Sequence, residues 1–231
     1  MSPLVVIVLL AVIALVLYWQ LIIAEGAYLG PRVVALLYDV IAHRYNRIKQ
    51  FNPDDDAYFF CDPLAEWLMH AERPRVLDVA TGSGRVPLTL MANRDFHGSA
   101  VAVDRARLML REAARALAPH RGRVSISRQD GMRLAFADDT FDAVCCLEAL
   151  EFMPDPRGGL AECVRVLRPG GLLMTTRRTG PWARWMPGRA PSREAFKAQV
   201  ESLGVWDVRV QTWQVDYDLA WGVKIADGEE P

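Results

Sequence analysis

The sequence predicts an α/β protein in which a mostly parallel β-sheet carries helices on both faces and follows one membrane-spanning helix. Three observations lead to this expectation. Residues 4–24 are almost entirely apolar, strand-like and helix-like segments alternate from residue 75 onward, and the first of these strands opens into a glycine loop. The 231 residues suit one α/β domain of about 200 residues with an appendage.

The overall composition argues against several classes of function. The formal net charge is −1, so the overall charge does not indicate a nucleic-acid partner. The four cysteines form no CxxC pair, and no group of histidines and cysteines has the spacing of a zinc site. We therefore expect reduced core cysteines, no metal ion and no nucleic-acid partner.

The apolar segment LVVIVLLAVIALVLYWQLIIA, residues 4–24, contains one polar side chain, Gln20, and no charge. As a helix it would be about 31 Å long, enough to cross a hydrocarbon core of about 30 Å. Tyr18 and Trp19 lie where an interfacial aromatic belt belongs. A signal peptide would need a basic start, a shorter core and a small-residue cleavage site, and a buried core helix is a third interpretation. We predict a retained single-pass anchor over residues 1–25.

The charges beside this segment predict its orientation. Residues 25–50 carry four basic side chains against two acidic ones, whereas the short N-terminus has no Lys or Arg. Arg32 and Arg44 are the basic residues nearest the apolar run. The positive-inside rule therefore places the C-terminal domain in the cytoplasm.

Residues 26–72 predict linking and lid-type helices. Residues 31–48 have apolar side chains at helical spacing, so this helix packs on the core, lies on a membrane or covers an active site. A second helix is expected to begin at the Asp62-Pro63 cap and to run to about Ala71. The acidic run 54–56 is interpreted as a solvated turn.

From residue 75 the pattern alternates between β and α. Strands are predicted at 75–80, 99–104, 123–128, 141–147 and 171–176, and a hairpin at 205–213 and 217–225. Helices are predicted at 84–93, 105–118, 157–167 and 192–203. The alternation indicates a parallel sheet, into which the hairpin brings an antiparallel strand.

Ligands bind open sheets of this kind beyond the carboxyl ends of the strands, where four places stand out. The first is the loop 78–84 within VLDVATGSGR, and the second is Asp104 at the end of VAVD, where an acid can accept hydrogen bonds from ribose hydroxyls. The third is Asp130 in SRQDGMRLAF, and the fourth is CCLEALEFMPDP after the strand 141–147. An NAD-dependent dehydrogenase would share the first two places, but Pro87 stands where its fingerprint needs a third glycine.

Five motifs occur in one order: VLDVATGSGR, AVDRARLML, RQDGMRLAF, FDAVCCLEALEFMPDP and ECVRVLRPGGLLMTT. Together they resemble the class I S-adenosylmethionine-dependent methyltransferases, especially the small-molecule group around the ubiquinone and menaquinone methyltransferases. The resemblance covers about residues 35–225. It implies a Rossmann-like, doubly wound seven-stranded sheet with an antiparallel last strand, a cofactor-binding domain over residues 73–231, and S-adenosyl-L-methionine as the cofactor. Ala80 departs from the glycine of many members.

The resemblance also implies roles for single residues. The loop after the first strand would lie against the methionine part of the cofactor, Asp104 would bind the ribose, Asp130 the adenine amino group, and Leu147 and Glu148 would lie near the transferred methyl. The full set of expected cofactor-binding residues is Asp78, Ala80, Gly82, Gly84, Asp104, Arg105, Asp130, Gly131, Met132, Leu147 and Glu148. Asp78 has a loop-capping role as its alternative, and Asp104 can cap the helix 105–118 while it binds the ribose.

No residue is predicted to be catalytic, although His43, Tyr45, Glu148 and Glu151 are the candidate general bases. The basic, tryptophan-containing segment 177–193 suits contact with lipid headgroups, or else forms a solvated loop whose tryptophans pack on the core. We expect a membrane-anchored methyltransferase with a small-molecule or lipid acceptor, such as a quinone-like compound. An inactive scaffold and an NAD-dependent oxidoreductase are the alternatives.

Overall fold

A computed structural model of the protein describes residues 2–225 and has one seven-stranded sheet at its centre. The strands are β1 (Arg75–Val79), β2 (Ser99–Asp104), β3 (Val124–Arg128), β4 (Phe141–Cys146), β5 (Leu167–Arg178), β6 (Val205–Thr212) and β7 (Tyr217–Lys224). Their order across the sheet is β3-β2-β1-β4-β5-β7-β6. Only β7 runs antiparallel to its neighbours, β5 and β6. The predicted sheet with an antiparallel last strand is confirmed.

Helices precede the sheet and connect its strands. The α-helices are α1 (Pro3–Tyr18), α2 (Pro31–Ile41), α3 (Tyr45–Lys49), α4 (Pro53–Asp56), α5 (Asp62–Leu68), α6 (Arg85–Ala92), α7 (Arg107–Ala116), α8 (Pro156–Val166), α9 (Gly180–Ala183) and α10 (Arg193–Glu201). Each predicted helix after residue 75 is present, with ends shifted by one or two residues.

The core lies on both faces of the sheet, as the doubly wound interpretation requires. The adjacent cysteines of β4 illustrate this arrangement, because successive strand residues point to opposite faces. Cys145 packs in the cluster that contains Leu64 and Leu90, and Cys146 packs in the cluster that contains Leu160 and Phe196. All four cysteines are buried and free. Their predicted role as reduced core residues fits this burial.

The strand order reverses between β1 and β4. From β1 the chain proceeds outward through β2 and β3, and from β4 it proceeds outward in the other direction through β5. At such a switch point the connecting loops diverge, so a crevice opens beyond the carboxyl ends of the two central strands. The loop after β1 and the segment after β4 therefore face the same crevice.

The N-terminal helix lies outside both core clusters. Together with the π-helical turn Trp19–Ile23, α1 forms a 21-residue apolar helix that is long enough to cross a membrane, a test that a signal sequence also passes. None of the α1 side chains is buried, so the interpretation as a core helix is wrong. The end of the helix nevertheless contacts the domain, because the Trp19 indole N–H donates to the main-chain oxygen of Trp185 at 2.8 Å.

The structure differs from the sequence expectations between residues 31 and 71. The expected helix 31–48 is split into α2 and α3 by the 3-10 turn Ala42–Arg44. The predicted helix at Asp62 is present as α5, but the π-helical turn Ala57–Cys61 joins it to α4, so Asp62 does not cap it. The helical run begins at Pro53, and the Asn52 side chain caps it by accepting a hydrogen bond from the Asp54 amide. The acidic run is thus the first turn of a helix. Its last member, Asp56, is buried, because it pairs with an arginine from another segment.

The fifth strand also differs from the expectation, since β5 extends from Leu167 to Arg178. Arg177 and Arg178 therefore belong to the sheet and not to the loop after it. Arg177 pairs with Asp218 of β7 at 2.6 Å, and Arg178 is buried. These two arginines are therefore engaged within the domain, whereas Trp182 and Trp185 are 44% and 50% exposed and do not pack on the core.

Candidate functional site

The loop after β1 is shaped by one buried polar contact and one strained residue. Asp78 is buried and accepts a hydrogen bond from the Thr81 hydroxyl at 2.6 Å, which is the loop-capping role considered above. Burial raises the pKa of the Asp78 carboxyl to about 7. Ala80 has a φ of 57°, a left-handed conformation that costs an L-residue about 1–2 kcal/mol and that glycine adopts freely. The family's preference for glycine at this position therefore has a conformational cause.

Asp104, at the end of β2, joins this loop to the start of the next helical segment. One carboxylate oxygen accepts a hydrogen bond from the Gly82 amide and the other accepts one from the Ala106 amide, each at 2.8 Å. Burial raises the pKa of this carboxyl above its ordinary value. A carboxylate has about four lone-pair positions, so each Asp104 oxygen keeps one acceptor position free.

The third acid follows β3. Asp130 accepts a hydrogen bond from the Met132 amide at 3.1 Å and forms an ion pair with Arg105, which follows Asp104 directly. The ion pair brings the ends of β2 and β3 together. Gly131 is closely packed here, since a Cβ atom at this position would come within 2.9 Å of the Met153 methyl.

These residues surround a cavity beyond the carboxyl ends of the strands, which we call the central cavity. Its empty space, with the open solvent at its mouth included, is about 800 Å³. Its polar wall comes from the loops after the strands: Ala80, Gly82, Asp104, Arg105, Gln129, Asp130, Gly131, Leu147 and Glu148. Its apolar wall comes from α2 and the segment after β4: Pro31, Val34, Ala35, Tyr38, Ala149, Phe152, Met153 and Pro154.

Most of the eleven predicted cofactor residues line this cavity, and three lie behind its wall. Asp78 is buried beneath the loop. Gly84 begins α6 in a left-handed conformation and packs on α7, where a Cβ atom would come within 2.9 Å of Leu117. Met132 packs against the core on one face of the sheet. Contact of these three residues with a cofactor stays a prediction.

The helices that precede the sheet are fixed over the cavity by polar contacts that sequence reasoning missed. The Ser83 hydroxyl donates to the Asn46 side chain at 2.6 Å, and the Leu108 amide donates to Asp39 at 2.5 Å. These contacts join α2 and α3 to the loop after β1 and to α7. Residues 31–49 therefore form one wall of the cavity.

A four-residue ion-pair network closes the side of the cavity near Glu148. Arg85 donates to Asp56 through its Nε at 2.8 Å and to Glu148 at 2.8 Å, and Lys49 pairs with the other Glu148 oxygen at 2.5 Å. One guanidinium group and one ammonium group thus pair with two carboxylates. Glu148 itself has a φ of 53°, and backbone strain of this kind is concentrated at functional sites.

A second buried polar group lies beneath the wall formed by α2. Tyr217 donates a hydrogen bond to Glu151 at 2.5 Å and accepts one from Arg178 at 2.7 Å, while Tyr38 donates to Glu25 at 2.8 Å. The Arg178 guanidinium lies 3.8 Å from Glu151 and 3.9 Å from Glu25. Burial raises the pKa of Glu151 to about 7. Glu151 and Glu25 both lie close to the single cation Arg178.

The candidate bases are placed differently by the fold. Tyr45 and Glu148 line the central cavity, Glu151 is buried behind it, and His43 is exposed to solvent. Burial raises the pKa of Tyr45, which disfavours its ionised form. Within residues 2–225 no group of histidines, cysteines and acids has the geometry of a metal site.

Comparison with known proteins finds a methyltransferase domain and methyltransferase relatives. A protein family described as "Methyltransferase domain" matches residues 77–175. The ubiquinone/menaquinone biosynthesis C-methyltransferase of Geobacter sulfurreducens is 32% identical over 80% of this chain and 86% of its own length. The first two curated relatives are covered over only 58% of their length.

Solved structures show the same fold at lower identity. The cyclase SpnF superposes with a TM-score of 0.69 at 18% identity, over 85% of this chain and 97% of its own. Phosphoethanolamine N-methyltransferase 2 of Haemonchus contortus, solved in complex with S-adenosyl-L-methionine, superposes with a TM-score of 0.58 at 15% identity, over 67% of this chain and 49% of its own. At these identities the similarity concerns the fold alone.

Proposed function

The chain belongs to the class I S-adenosylmethionine-dependent methyltransferases, similar to those of ubiquinone and menaquinone biosynthesis, and from this we propose that it methylates a lipophilic small molecule at a membrane. The observation that carries the proposal is the central cavity, which has acids and glycines on one wall and apolar side chains on the other. We assign residues 1–25 to an anchor, residues 26–72 to linking and lid helices, and residues 73–231 to the cofactor-binding domain.

The polar wall fits S-adenosyl-L-methionine, the cofactor of this family. Asp104 keeps acceptor positions free for the ribose hydroxyls, Gly82 presents main chain without a side chain, and Asp130 lies beside Gly131, where a flat ring can approach. In this arrangement Leu147 and Glu148 line the side nearest to the transferred methyl. When bound, the cofactor supplies a methyl group activated by its sulfonium.

The residues of the chain then have three tasks. The acids after β2 and β3 orient the cofactor, since charged acceptors fix hydroxyl and amino groups in direction. The α2 wall excludes water and holds an acceptor against the polar wall, so that proximity supplies much of the acceleration. Tyr38 and Phe152, whose rings meet edge to face at 6.0 Å, form the boundary of the space for the acceptor.

The apolar wall favours a lipophilic acceptor. Pro31, Val34 and Ala35 present no hydrogen-bonding side chain to the cavity, so a strongly polar acceptor would lose its hydration there without compensation. An anchor raises the local concentration of an acceptor that is dissolved in the bilayer. A quinone-like or other lipid compound satisfies both conditions.

Retention of the anchor is supported by contacts at its end. Ala24 and Ala27 are buried, and the Trp19 ring stacks on Tyr28 with centroids 5.2 Å apart. Cleavage of a signal sequence in this region would remove side chains that the domain uses for packing. The basic residues after the helix favour a cytoplasmic position for the domain.

The test is transfer of a labelled methyl group. The full-length protein in detergent is incubated with methyl-labelled S-adenosyl-L-methionine and a membrane lipid extract, and label is counted in the organic phase. We expect label in an extractable compound, and none with the variant Asp104→Ala. Tight cofactor binding without transfer to any lipid or soluble acceptor would instead indicate an inactive scaffold, and binding of NADH in place of S-adenosylhomocysteine would indicate an oxidoreductase.

A further inference from the structure

A second cavity lies on the far side of the segment that follows β4, and we call it the arginine-lined cavity. It opens between the start of α8, the end of β5, residues 188–191 and α10, and it encloses about 1,260 Å³ with its mouth included. It shares no lining residue with the central cavity. Its charged lining consists of Arg157, Arg177, Arg178, Arg189, Glu151 and Asp155.

The carboxylates of this cavity are directed at the protein itself. Asp155 caps α8 by accepting a hydrogen bond from the Arg157 amide at 3.1 Å. Glu151 accepts from Tyr217 and faces Arg178. Asp218, behind the lining, pairs with Arg177. These acids therefore pair with Arg177 and Arg178, whereas Arg157 and Arg189 have no carboxylate within ion-pair distance among residues 2–225.

Those two arginines are held at the cavity by different means. The Arg157 side chain forms no hydrogen bond or ion pair with the residues that the structure describes. The Arg189 guanidinium donates to the main-chain oxygens of Glu151, at 2.9 Å, and Met153, and it lies 4.7 Å from the centre of the Tyr28 ring. Carbonyl oxygens and a ring orient this guanidinium without neutralising it. Four arginines and two acids thus line one cavity, and guanidinium groups are suited to bind phosphate groups.

One part of the cavity lining, residues 188–191, lies close to the end of the apolar N-terminal helix. These residues continue directly from the loop that contacts this helix. The Trp19 indole donates to the Trp185 oxygen at 2.8 Å, and the Tyr28 hydroxyl donates to the Pro187 oxygen at 2.8 Å. With α1 in a bilayer, these contacts would bring residues 188–191 close to the headgroups, where exposed tryptophans such as Trp182 also belong.

We propose that the arginine-lined cavity binds the phosphate group of an anionic phospholipid through Arg157 and Arg189. The proposal rests on the membrane anchoring argued above, but it involves neither the cofactor nor methyl transfer. The bound headgroup would fix the domain against the membrane surface, with the mouth of the central cavity held at a constant distance from the bilayer.

The test measures lipid binding directly. The full-length protein is purified in detergent, delipidated and titrated with phosphatidylglycerol or phosphatidylcholine, and bound lipid is counted by native mass spectrometry. We expect tighter binding of phosphatidylglycerol, weakened about fivefold by Arg157→Gln, because one basic side chain near a membrane contributes about 1 kcal/mol. Arg189→Gln should weaken it at least as much. Arg121→Gln, the same change at an exposed arginine far from this cavity, should leave it unchanged.

Three outcomes would overturn the proposal: equal binding of the two lipids, undiminished phosphatidylglycerol binding by Arg157→Gln, or the same loss in Arg121→Gln. Arg157→Gln still tests the proposal if Arg189→Gln misfolds, because the Arg157 side chain forms no hydrogen bond or ion pair within the described part of the chain. Competition by inorganic phosphate would support recognition of the phosphate, and glycerol 3-phosphate binding as tightly as the lipid would reassign the site to a soluble ligand. Because no cofactor is present, a failure here is distinct from an absence of methyl transfer.

Discussion

The indole nitrogen of Trp19 lies 2.8 Å from the main-chain oxygen of Trp185, a contact between residues 166 positions apart in the chain. It joins the end of the apolar N-terminal helix to the loop that follows β5. The C-terminal end of the helix therefore contacts the domain, whereas no side chain of α1 is buried. Contact with the domain thus begins at Trp19, inside the segment 1–25 that we propose as the anchor.

This contact predicts different outcomes for two truncations. Deletion of residues 1–18 should release a folded domain into the soluble fraction. Deletion of residues 1–24 should also release it, but with a free energy of unfolding lower by about 2 kcal/mol, because one aromatic stack and one hydrogen bond are lost. Cell fractionation and urea denaturation measure the two effects. Equal stability of the truncated proteins, or retention of the shorter deletion in membranes, would contradict the assignment.

The exposed tryptophans of the 177–193 segment should contribute to membrane contact without the anchor. In the protein that lacks residues 1–18, the double change Trp182→Ala and Trp185→Ala is expected to weaken binding to anionic vesicles about tenfold, equivalent to about 1.4 kcal/mol. Trp206→Ala is the matched control, because Trp206 is as exposed as Trp182 but belongs to β6. Vesicle co-sedimentation measures both. If Trp206→Ala weakened vesicle binding as much as the double change at Trp182 and Trp185, the position of these tryptophans in the fold would be irrelevant to binding.

Asp104→Ala should weaken binding of S-adenosylhomocysteine at least about tenfold, because the ribose loses a charged acceptor. The same change removes the acceptor of the Gly82 and Ala106 amides, so stability must be measured beside affinity. Calorimetric titration gives the affinity and urea denaturation gives the stability. Asp95→Ala, at an exposed position, serves as the control. A folded Asp104→Ala protein with parental affinity would refute the ribose assignment.

Asp56→Ala should lower the free energy of unfolding by about 3 kcal/mol, the lower end for a broken buried ion pair, because Arg85 keeps Glu148 as a partner. Asp55→Ala, one position earlier and exposed, should change stability by less than about 0.5 kcal/mol. Chemical denaturation compares the two variants. If Asp56→Ala and Asp55→Ala changed stability by similar amounts, the interpretation of residues 54–56 as a solvated turn would be supported instead.

The raised pKa of Glu151 predicts a pH dependence of stability. An exposed glutamate in the unfolded chain has a pKa of about 4.3, while burial raises that of Glu151 to about 7 in the native protein. Between these values the native state binds more protons than the unfolded state. Stability is therefore highest below the unfolded pKa and falls as pH rises, by up to about 1.4 kcal/mol per pH unit from this group.

Glu151→Gln removes this titration. The difference in unfolding free energy between Glu151→Gln and the parent should therefore shift in favour of the variant as pH rises from 5 to 7. Asp78, whose pKa burial also raises to about 7, keeps its own contribution in both proteins. Denaturation curves at several pH values give the slopes. Parallel slopes for parent and variant would contradict the assignment, and Glu66→Gln, at an exposed position, controls for the loss of a charge.

The sequence was sufficient for the sheet because its strands follow local rules. Short apolar runs alternate with amphipathic helices, and the hairpin at the end has its own turn. The acids at the ends of β2 and β3 were found for the same reason, since the carboxyl end of a strand is visible in the sequence and its place in an open sheet is fixed.

The remaining part of the site depends on contacts between distant segments. Asp56 and Arg85 are 29 positions apart, and Lys49 and Glu148 are 99 positions apart. Nothing in the local sequence distinguishes the buried Asp56 from its solvated neighbours, because the difference arises from the arginine that reaches it. The two cavities likewise form only when the segment after β4 is packed between them.

The hydrogen bond from Tyr38 to Glu25 has a mechanical consequence. Glu25 stands two residues after the apolar helix ends, whereas Tyr38 belongs to the wall of the central cavity. In a bilayer thinner than the hydrophobic length of the helix, such a helix accommodates the mismatch by tilting. The tilt would act on Glu25 first and reach the cavity wall through a single side-chain contact. Membrane thickness would then set the fit between enzyme and acceptor, and the same chain would work at different rates in membranes of different lipid length.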